Sequence, residues 1–184
     1  MKSLFIEKPQ TYDGTQLRSL YAYLDHKVLG PSVVSWTGPC SISFDHMVDG
    51  EDLLEQAEIR GANMLHFIIE IFDRDLFSGV ALQRMFAAIA RDYLSAKSGQ
   101  ALVREGDDLF LGQGKLSISI ATKSPVSVMV HFAMNITNEG TPVKTASLED
   151  LRLNPRQVAT DLMSLLIEEY ESIVKATQKV RPVN

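Results

Sequence analysis

Cysteine is almost missing from these 184 residues: Cys40 stands alone. No intrachain disulfide and no thiolate metal cluster can therefore be assembled from this chain, and a reducing, cytoplasmic compartment is the expectation. Long apolar runs are missing too. Nothing approaches the ~20 residues of a membrane-spanning helix, and the opening Leu4-Phe5-Ile6, closed by Pro9, is too short for a secretion signal. Positive charge is scarce and scattered, with 18 Lys and Arg against 23 Asp and Glu for a net charge of −5. A duplex nucleic acid needs a concentrated basic face, so it is not expected as a partner. The Gly-x-Ser-x-Gly elbow, the Walker phosphate loop, the Gly-x-Gly-x-x-Gly fingerprint and the His-Glu-x-x-His and Cys-x-x-Cys metal patterns are all lacking. Asp45, His46 and Asp49, or His26 beside Asp25, offer ligand types. Neighbours on a strand diverge to opposite faces, however, and no metal site is expected.

What is present is an ordinary globular mixture, 45% hydrophobic and 22% charged, long enough to bury roughly 70% of the unfolded surface. No repeat or Ser/Gly-rich linker divides it, so one α+β domain over 1–184 is expected. Leu4 to Ile6 reads as a strand. Leu17, Leu20, Tyr21, Leu24 and Val28 recur at helical spacing behind Thr15, with Gly30-Pro31 as the stop. Ser32 to Trp36 and Cys40 to Met47 read as two strands around a turn at Thr37-Gly38-Pro39. Asp49 to Arg60 reads as a helix with an acidic start and Gly61 as its C′ residue.

Met64 to Phe72 is a nearly continuous apolar run, the pattern of a central strand buried on both faces. Leu76 to Leu94 is helical by spacing, ending near Gly99. From Ala101 the period switches to that of strands at 102–103, 108–111, 115–122 and 126–137, an antiparallel meander. Asn154 caps a last helix with Pro155 at N1. Helices mixed with adjacent strands indicate a mixed, mainly antiparallel sheet packed by helices.

Chemistry-bearing residues gather in the second half. In Gly112-Gln113-Gly114-Lys115, a Gly-rich turn delivers a lysine onto the first position of an apolar strand. That placement is costly unless the ammonium meets an anion, and Gly112 and Gly114 would let a ligand approach the backbone. The competing reading is a hairpin-end lysine facing water above plain turn glycines. His66 and Glu70, four apart in the apolar run, point to one face and can act as an acid/base pair or grip a polar substrate. The alternative is a satisfied core histidine with an edge-facing glutamate. Alternation sets His131 with Ala133 and Asn135 on one face. Trp36 and Gly38 could supply an aromatic wall and close backbone amides, against the default of a core Trp beside a turn.

Asp107-Asp108-Leu109, Lys115-Leu116, the strand through His131-Phe132-Ala133-Met134-Asn135-Ile136, and Thr145-Ala146-Ser147-Leu148 follow one another in a telling order. In that order the stretch from about 65 to 153 resembles the core of the biotin and lipoate protein ligases. The whole chain, on Trp36-Thr37-Gly38-Pro39-Cys40, Met47-Val48-Asp49 and Met64 to Glu70, resembles a family known only as a domain of unknown function, DUF366.

The resemblance implies the ligase fold, which is class II synthetase-like. It implies a transferase or ligase working through an acyl-adenylate or nucleotide-type ligand, with ATP as the nucleotide and a small molecule as partner. Lys115 would stabilise the anionic intermediate, Asn135 would lie near the ligand, and Asp108 would shape the hairpin. Cys40 as a nucleophile is a lesser reading, drawn from the related octanoyl and lipoyl transferases. The Gly-Arg-Gly-Arg segment of the biotin ligases and the Arg-Arg-x-Ser-Gly-Gly-Gly segment of the lipoate ligases do not occur here. Hence the alternative of a non-catalytic small-molecule-binding or assembly module, and a homodimer through a sheet edge is compatible with either.

Overall fold

Val128, Val130, Phe132 and Met134 alternate along one strand with Met129, His131, Ala133 and Asn135. The first set belongs to one apolar cluster, while Met129 and Ala133 belong to another. This period-two split organises the molecule. The computed structural model of the chain describes residues 1–56, 59–141 and 143–183. The main sheet is made of β1 (Lys2–Ile6), β2 (Ser32–Ile42), β3 (Ile59–Phe72), β7 (Ser117–Lys123) and β8 (Ser127–Asn135) in the order β1-β2-β3-β8-β7. β1 runs parallel to β2, and the other three pairings are antiparallel. A smaller sheet of β4 (Val103–Glu105), β5 (Asp108–Leu111) and β6 (Gly114–Lys115) stands beside it.

Helix α3 (Leu76–Ser98) packs on β7 and β8, and α4 (Pro155–Gln178) packs on β1 and β2. Together they cover one face with Phe86, Ala87, Ala90, Leu94, Val158, Leu162 and Leu166 against Val33, Leu65, Phe67 and Phe132. Each helix is capped as its sequence dictates. Asp75 accepts the Ser78 N–H, Asn154 accepts that of Gln157 ahead of Pro155, and Gly99 closes α3 in the left-handed region. On the opposite face Trp36, Met64, Ile68, Met129 and Ala133 meet Tyr12, Leu17, Tyr21 and Ala22, which come from the segment joining β1 to β2. That cover is shorter than the sheet. Among the described residues no helix is long and apolar enough to cross a membrane.

The expected α+β architecture is what forms, with β3 third of five strands, but four local expectations are corrected. Thr37-Gly38-Pro39 is no turn; the chain runs on as a single strand with a bulge between Gly38 and Cys40. Residues 10–12 lie alongside it: the Gln10 N–H donates to Thr37 O, that of Tyr12 to Pro39 O, and that of Ser41 to Tyr12 O. Gly38 serves this close approach, since a Cβ there would sit 2.1 Å from Gln10 O, and Pro39 falls where a bulge tolerates its missing donor.

The helix expected behind Thr15 shrinks to α1 (Tyr21–His26). Asp13 takes the N–H and hydroxyl of Thr15, a local bond that competes with helix formation. The helix expected over 49–60 is α2 (Gly50–Glu55), capped by Asp49 and ended by Gln56 at φ 52°. Its stretch at 57–58 lies outside the described residues, and Arg60 and Gly61 belong to β3, pairing with Ser41 and Cys40. Finally, the meander is split: β6 joins the small sheet while β7 joins the large one, the chain changing partners at Leu116.

Candidate active site

A cavity of about 460 Å³ opens over the end of the sheet that residues 10–22 leave uncovered. Its floor is β7 and β8, through Ile118, Ile120, His131 and Asn135, and its walls come from α2, the start of β3 and the Asp107–Lys115 hairpin. Lys115 reaches into it. The ammonium lies 2.8 Å from Asp108 Oδ2 with both side chains partly buried. Burial pushes the Asp108 carboxyl above the ordinary range, and the ammonium draws it back down.

The lysine's backbone is bonded on both sides. Lys115 N–H donates to Lys144 O, Lys115 O accepts from the Ala146 N–H, and Asn135 Nδ2 donates to both Lys115 O and Ala146 O at 3.1 Å. The hairpin is anchored in turn by Asp107. One of its oxygens accepts from Gln83 Nε2 and Ser119 Oγ at 2.8 Å, and the other pairs with Arg84 at 2.9 Å. Thus α3 and β7 set the position of Asp108 and Lys115.

The deepest part of the cavity is aromatic. His131 lines it and is buried, as are His66 and Trp36 beneath. The Tyr12 ring stacks on that of His131 at 3.6 Å and 12°, and His66 stacks against both Tyr12 and Trp36. His66 Nδ1 lies 3.1 Å from His131 Nε2, and His66 Nε2 lies 3.1 Å from Gly38 O. Loss of water around these rings holds His66 down at about 4 and His131 well below the usual imidazole range, so both are neutral at pH 7. The outer wall is acidic, with Asp49, Glu51, Asp52, Asp107 and Asp108 facing Arg60 and Lys115. Among the described residues no cluster of three or more His, Cys, Asp or Glu could hold a metal.

Of the residues singled out in the sequence, Lys115, His131 and Asn135 come together here. Asp108, His46 and Asp49 stand in its wall, while His66, Glu70, Trp36, Gly38, Gly112 and Gly114 take other places. His66 does not line the cavity; it hydrogen-bonds His131 and stacks on Tyr12, both of which do. Glu70 shares the face of His66, as strand parity requires, but four extended residues set it ~13 Å away. It closes the opposite end, where its Oε1 accepts from the Leu20 N–H at 2.7 Å and from Ser127 Oγ at 2.6 Å; it is no acid/base partner of His66.

Trp36 is a buried core residue whose Nε1 donates to Gln10 O, and Gly38 offers a carbonyl to His66 rather than an amide to a ligand. Gly112 sits at the tip of the β5–β6 turn with φ 58°, and Gly114 faces backbone, not a ligand: a Cβ there would lie 2.8 Å from Thr145 C and O. Cys40 is buried, its thiol pushed up to about 12, which removes it as a nucleophile. Of the metal-ligand types, His46 and Asp49 line the cavity, whereas Asp25 pairs with Arg18.

Sequence reasoning missed Tyr12, which sits beside the turn-prone Asp13-Gly14. Its role depends on the bridge it forms to Cys40, 28 positions away, and no local pattern signals that.

The family model described as a domain of unknown function, DUF366, matches residues 1–181. The chain belongs to the DUF366 family. An uncharacterised protein of Methanocaldococcus jannaschii is 27% identical over 190 residues, covering 100% of this chain and 86% of its own length. A solved protein of unknown function from Pyrococcus horikoshi is 37% identical, with a TM-score of 0.95 over 99% of this chain and 98% of its own.

More distant neighbours have described ligands. The biotin protein ligase of Aquifex aeolicus in complex with biotin and ATP superposes with a TM-score of 0.61 at 10% identity, over 89% of this chain and 68% of its own. A putative lipoate protein ligase of T. acidophilum with bound lipoic acid gives 0.57 at 13%, over 91% and 86%. At these identities the likeness is one of fold: this DUF366 chain has the biotin/lipoate ligase fold.

Proposed function

We propose that this DUF366 protein is an enzyme of ligase or transferase type that holds an acyl-adenylate or nucleotide-type ligand in the cavity over β7 and β8. Lys115 is the charge that meets the ligand's anionic part. The observation that carries the reading is the construction around Lys115: its main chain is tied by Lys144, Ala146 and Asn135, and its ammonium projects into a cavity of about 460 Å³. That volume lies within the range of small-molecule sites. A compact ammonium carries three donors; Asp108 takes one, and the others can turn to phosphate or acyl-phosphate oxygens. The neighbours of the same fold with biotin and ATP or with lipoic acid support a small carboxylic acid as the acyl partner. In the reaction that follows, a carboxylate oxygen attacks the α-phosphorus of ATP, the bond to the β-phosphate breaks, and pyrophosphate leaves. Lys115 neutralises charge on the adenylate, His131 lines the floor, and Asn135 holds Lys115 in place.

A second reading rests on the wall. Five carboxylates against Arg60 and Lys115 repel a bare polyphosphate, which favours a binding module whose ligand is held without ATP turnover. The two readings separate in one assay series. Purified protein is incubated with ATP and biotin, lipoate or octanoate, with pyrophosphate release followed. In parallel the melting temperatures of wild type and Lys115→Ala are compared across the same ligands and AMP. A ligand at a hundred times its Kd adds ~2.7 kcal/mol to stability, so binding is visible as a thermal shift. The enzyme reading expects pyrophosphate, and shifts with ATP or AMP that Lys115→Ala loses. Unchanged binding and turnover in Lys115→Ala sinks it, and shifts without pyrophosphate favour the binding module.

A further inference from the structure

The two buried histidines form a hydrogen-bonded chain with a fixed direction. Gly38 O can only accept, so His66 Nε2 carries a hydrogen and donates to it at 3.1 Å. In a neutral ring the other nitrogen is then a bare lone pair, so His66 Nδ1 accepts from His131 Nε2, 3.1 Å away. His131 Nε2 therefore holds that ring's single hydrogen, and His131 Nδ1 is left as an acceptor. Protonating His66 would turn an N–H against the N–H of His131, and protonating His131 would place a charge in a residue only 2% exposed. The Tyr12 ring, stacked at 3.6 Å, holds the plane of His131. Among the described residues nothing donates to His131 Nδ1, while the side chain lines the cavity.

We propose that His131 Nδ1 is a fixed acceptor on the cavity floor that selects ligands presenting a neutral N–H or O–H donor there, with His66 as the positioning residue that sets its tautomer. The proposal rests on the cavity being a ligand site, as in the reading above, and adds the chemistry of the ligand's buried end. A carboxylate or phosphate oxygen at that point would face a lone pair and is rejected, whereas an amide, ureide or heterocyclic N–H, or a hydroxyl, completes the chain. Donor to His131 and anion to Lys115 thus give the ligand two different ends.

The test is nitrogen NMR on the full chain labelled with ¹⁵N-histidine, the four histidines being assigned with the help of His131→Phe. Without ligand at pH 7, His66 and His131 are each expected to show Nε2 protonated and Nδ1 bare. A protonated His131 Nδ1, or an averaged ring, overturns the proposal. Millimolar 2-pyrrolidinone and N-methyl-2-pyrrolidinone then form a matched pair differing in the N–H, and biotin against octanoate forms a second. The Nδ1 signal is expected to move with 2-pyrrolidinone and biotin and to stay with the other two. An Nδ1 signal indifferent to both donor-bearing probes, or moved as much by the methylated lactam, overturns it.

His131→Phe keeps a ring to stack on Tyr12 and should weaken the donor-bearing probes about five- to tenfold more than octanoate, the worth of one neutral hydrogen bond. His66→Phe should let His131 populate both tautomers; a His131 still wholly Nε2-protonated in that variant removes the positioning role. Pyrophosphate release beside an indifferent Nδ1 would retire this inference and keep the enzyme reading. A responsive Nδ1 without ATP turnover would do the reverse.

Discussion

Asn135 uses both hydrogens of its amide on main-chain carbonyls, Lys115 O and Ala146 O, at the point where β6, β8 and the 144–148 segment meet. Asn135→Leu should cost about 1–3 kcal/mol in urea unfolding, the range for leaving buried groups unpaired. Asn135→Asp should cost more, because an acceptor would replace the donor against two carbonyls. Both should weaken any ligand response that depends on Lys115, which a purely local packing defect would not do. The histidines give a second prediction at this scale. In the unfolded chain an imidazole titrates near ~6.5, but burial holds His66 at about 4 and His131 well below its ordinary value. The unfolded chain therefore takes up protons first as the pH falls. The stability tied to these rings is fully present above ~6.5 and falls as the pH drops; the share of His66 levels off below about 4. For His66 alone that window is worth on the order of 3 kcal/mol. Denaturation at pH 7 and pH 5 should show the decline, and His66→Phe should flatten it; equal slopes in the two proteins would refute the assignment.

The β5–β6 hairpin shows how two glycines of one motif do different jobs. Gly112 has φ 58° with nothing within 4 Å of a Cβ, so Gly112→Ala should cost only the ~1–2 kcal/mol of a left-handed residue. At Gly114 the obstacle is Thr145 backbone at 2.8 Å, which cannot rotate away. Gly114→Ala should cost at least as much and should also displace Lys115, weakening ligand binding where Gly112→Ala does not. Thermal shifts of both variants with and without nucleotide check this; equal ligand responses would mean that the Thr145 contact does not position the lysine. Legibility divides along the same line. The helices at 76–98 and 155–178 and the strands at 64–72 and 127–135 were readable, because each buries a face whose period is written locally and each helix carries its own cap. The bulge at Gly38 and the shortened helix at 21–26 were not. The bulge is set by partners far along the chain, Gln10 and Tyr12 against 37–41, and the helix by the Glu70 carboxylate on the Leu20 N–H, whose residue stands at φ 63°, together with the local Asp13–Thr15 bonds.

At the scale of the molecule, the two faces of the sheet have different occupations. One is closed by α3 and α4 around edge-to-face contacts among Phe67, Phe86 and Phe132. The other is covered only as far as residues 10–22 reach, and the remainder is the cavity. That His131 and Asn135 share one side of their strand was legible, since parity alone put them there, whereas the strand order that brings Lys115 beside them was not. The stacking of Tyr12 over the histidines was not, because it depends on where the β1–β2 connection crosses the sheet. This division predicts that stability and ligand recognition are separable by face. Phe86→Ala should remove about 3–5 kcal/mol, as a buried ring lost from a packed cluster does. Whatever ligand binds should then be recognised by the surviving folded protein with unchanged preference. Ile120→Ala, on the half-buried floor opposite His131 in the β7–β8 pairing, should cost ~1 kcal/mol. It enlarges the cavity and should alter affinity for the acyl part of a ligand. Urea unfolding and thermal-shift titration of the two variants measure both quantities. Equal stability losses, or a ligand preference moved by Phe86→Ala and untouched by Ile120→Ala, would mean that the helix-covered face and not the open one governs binding.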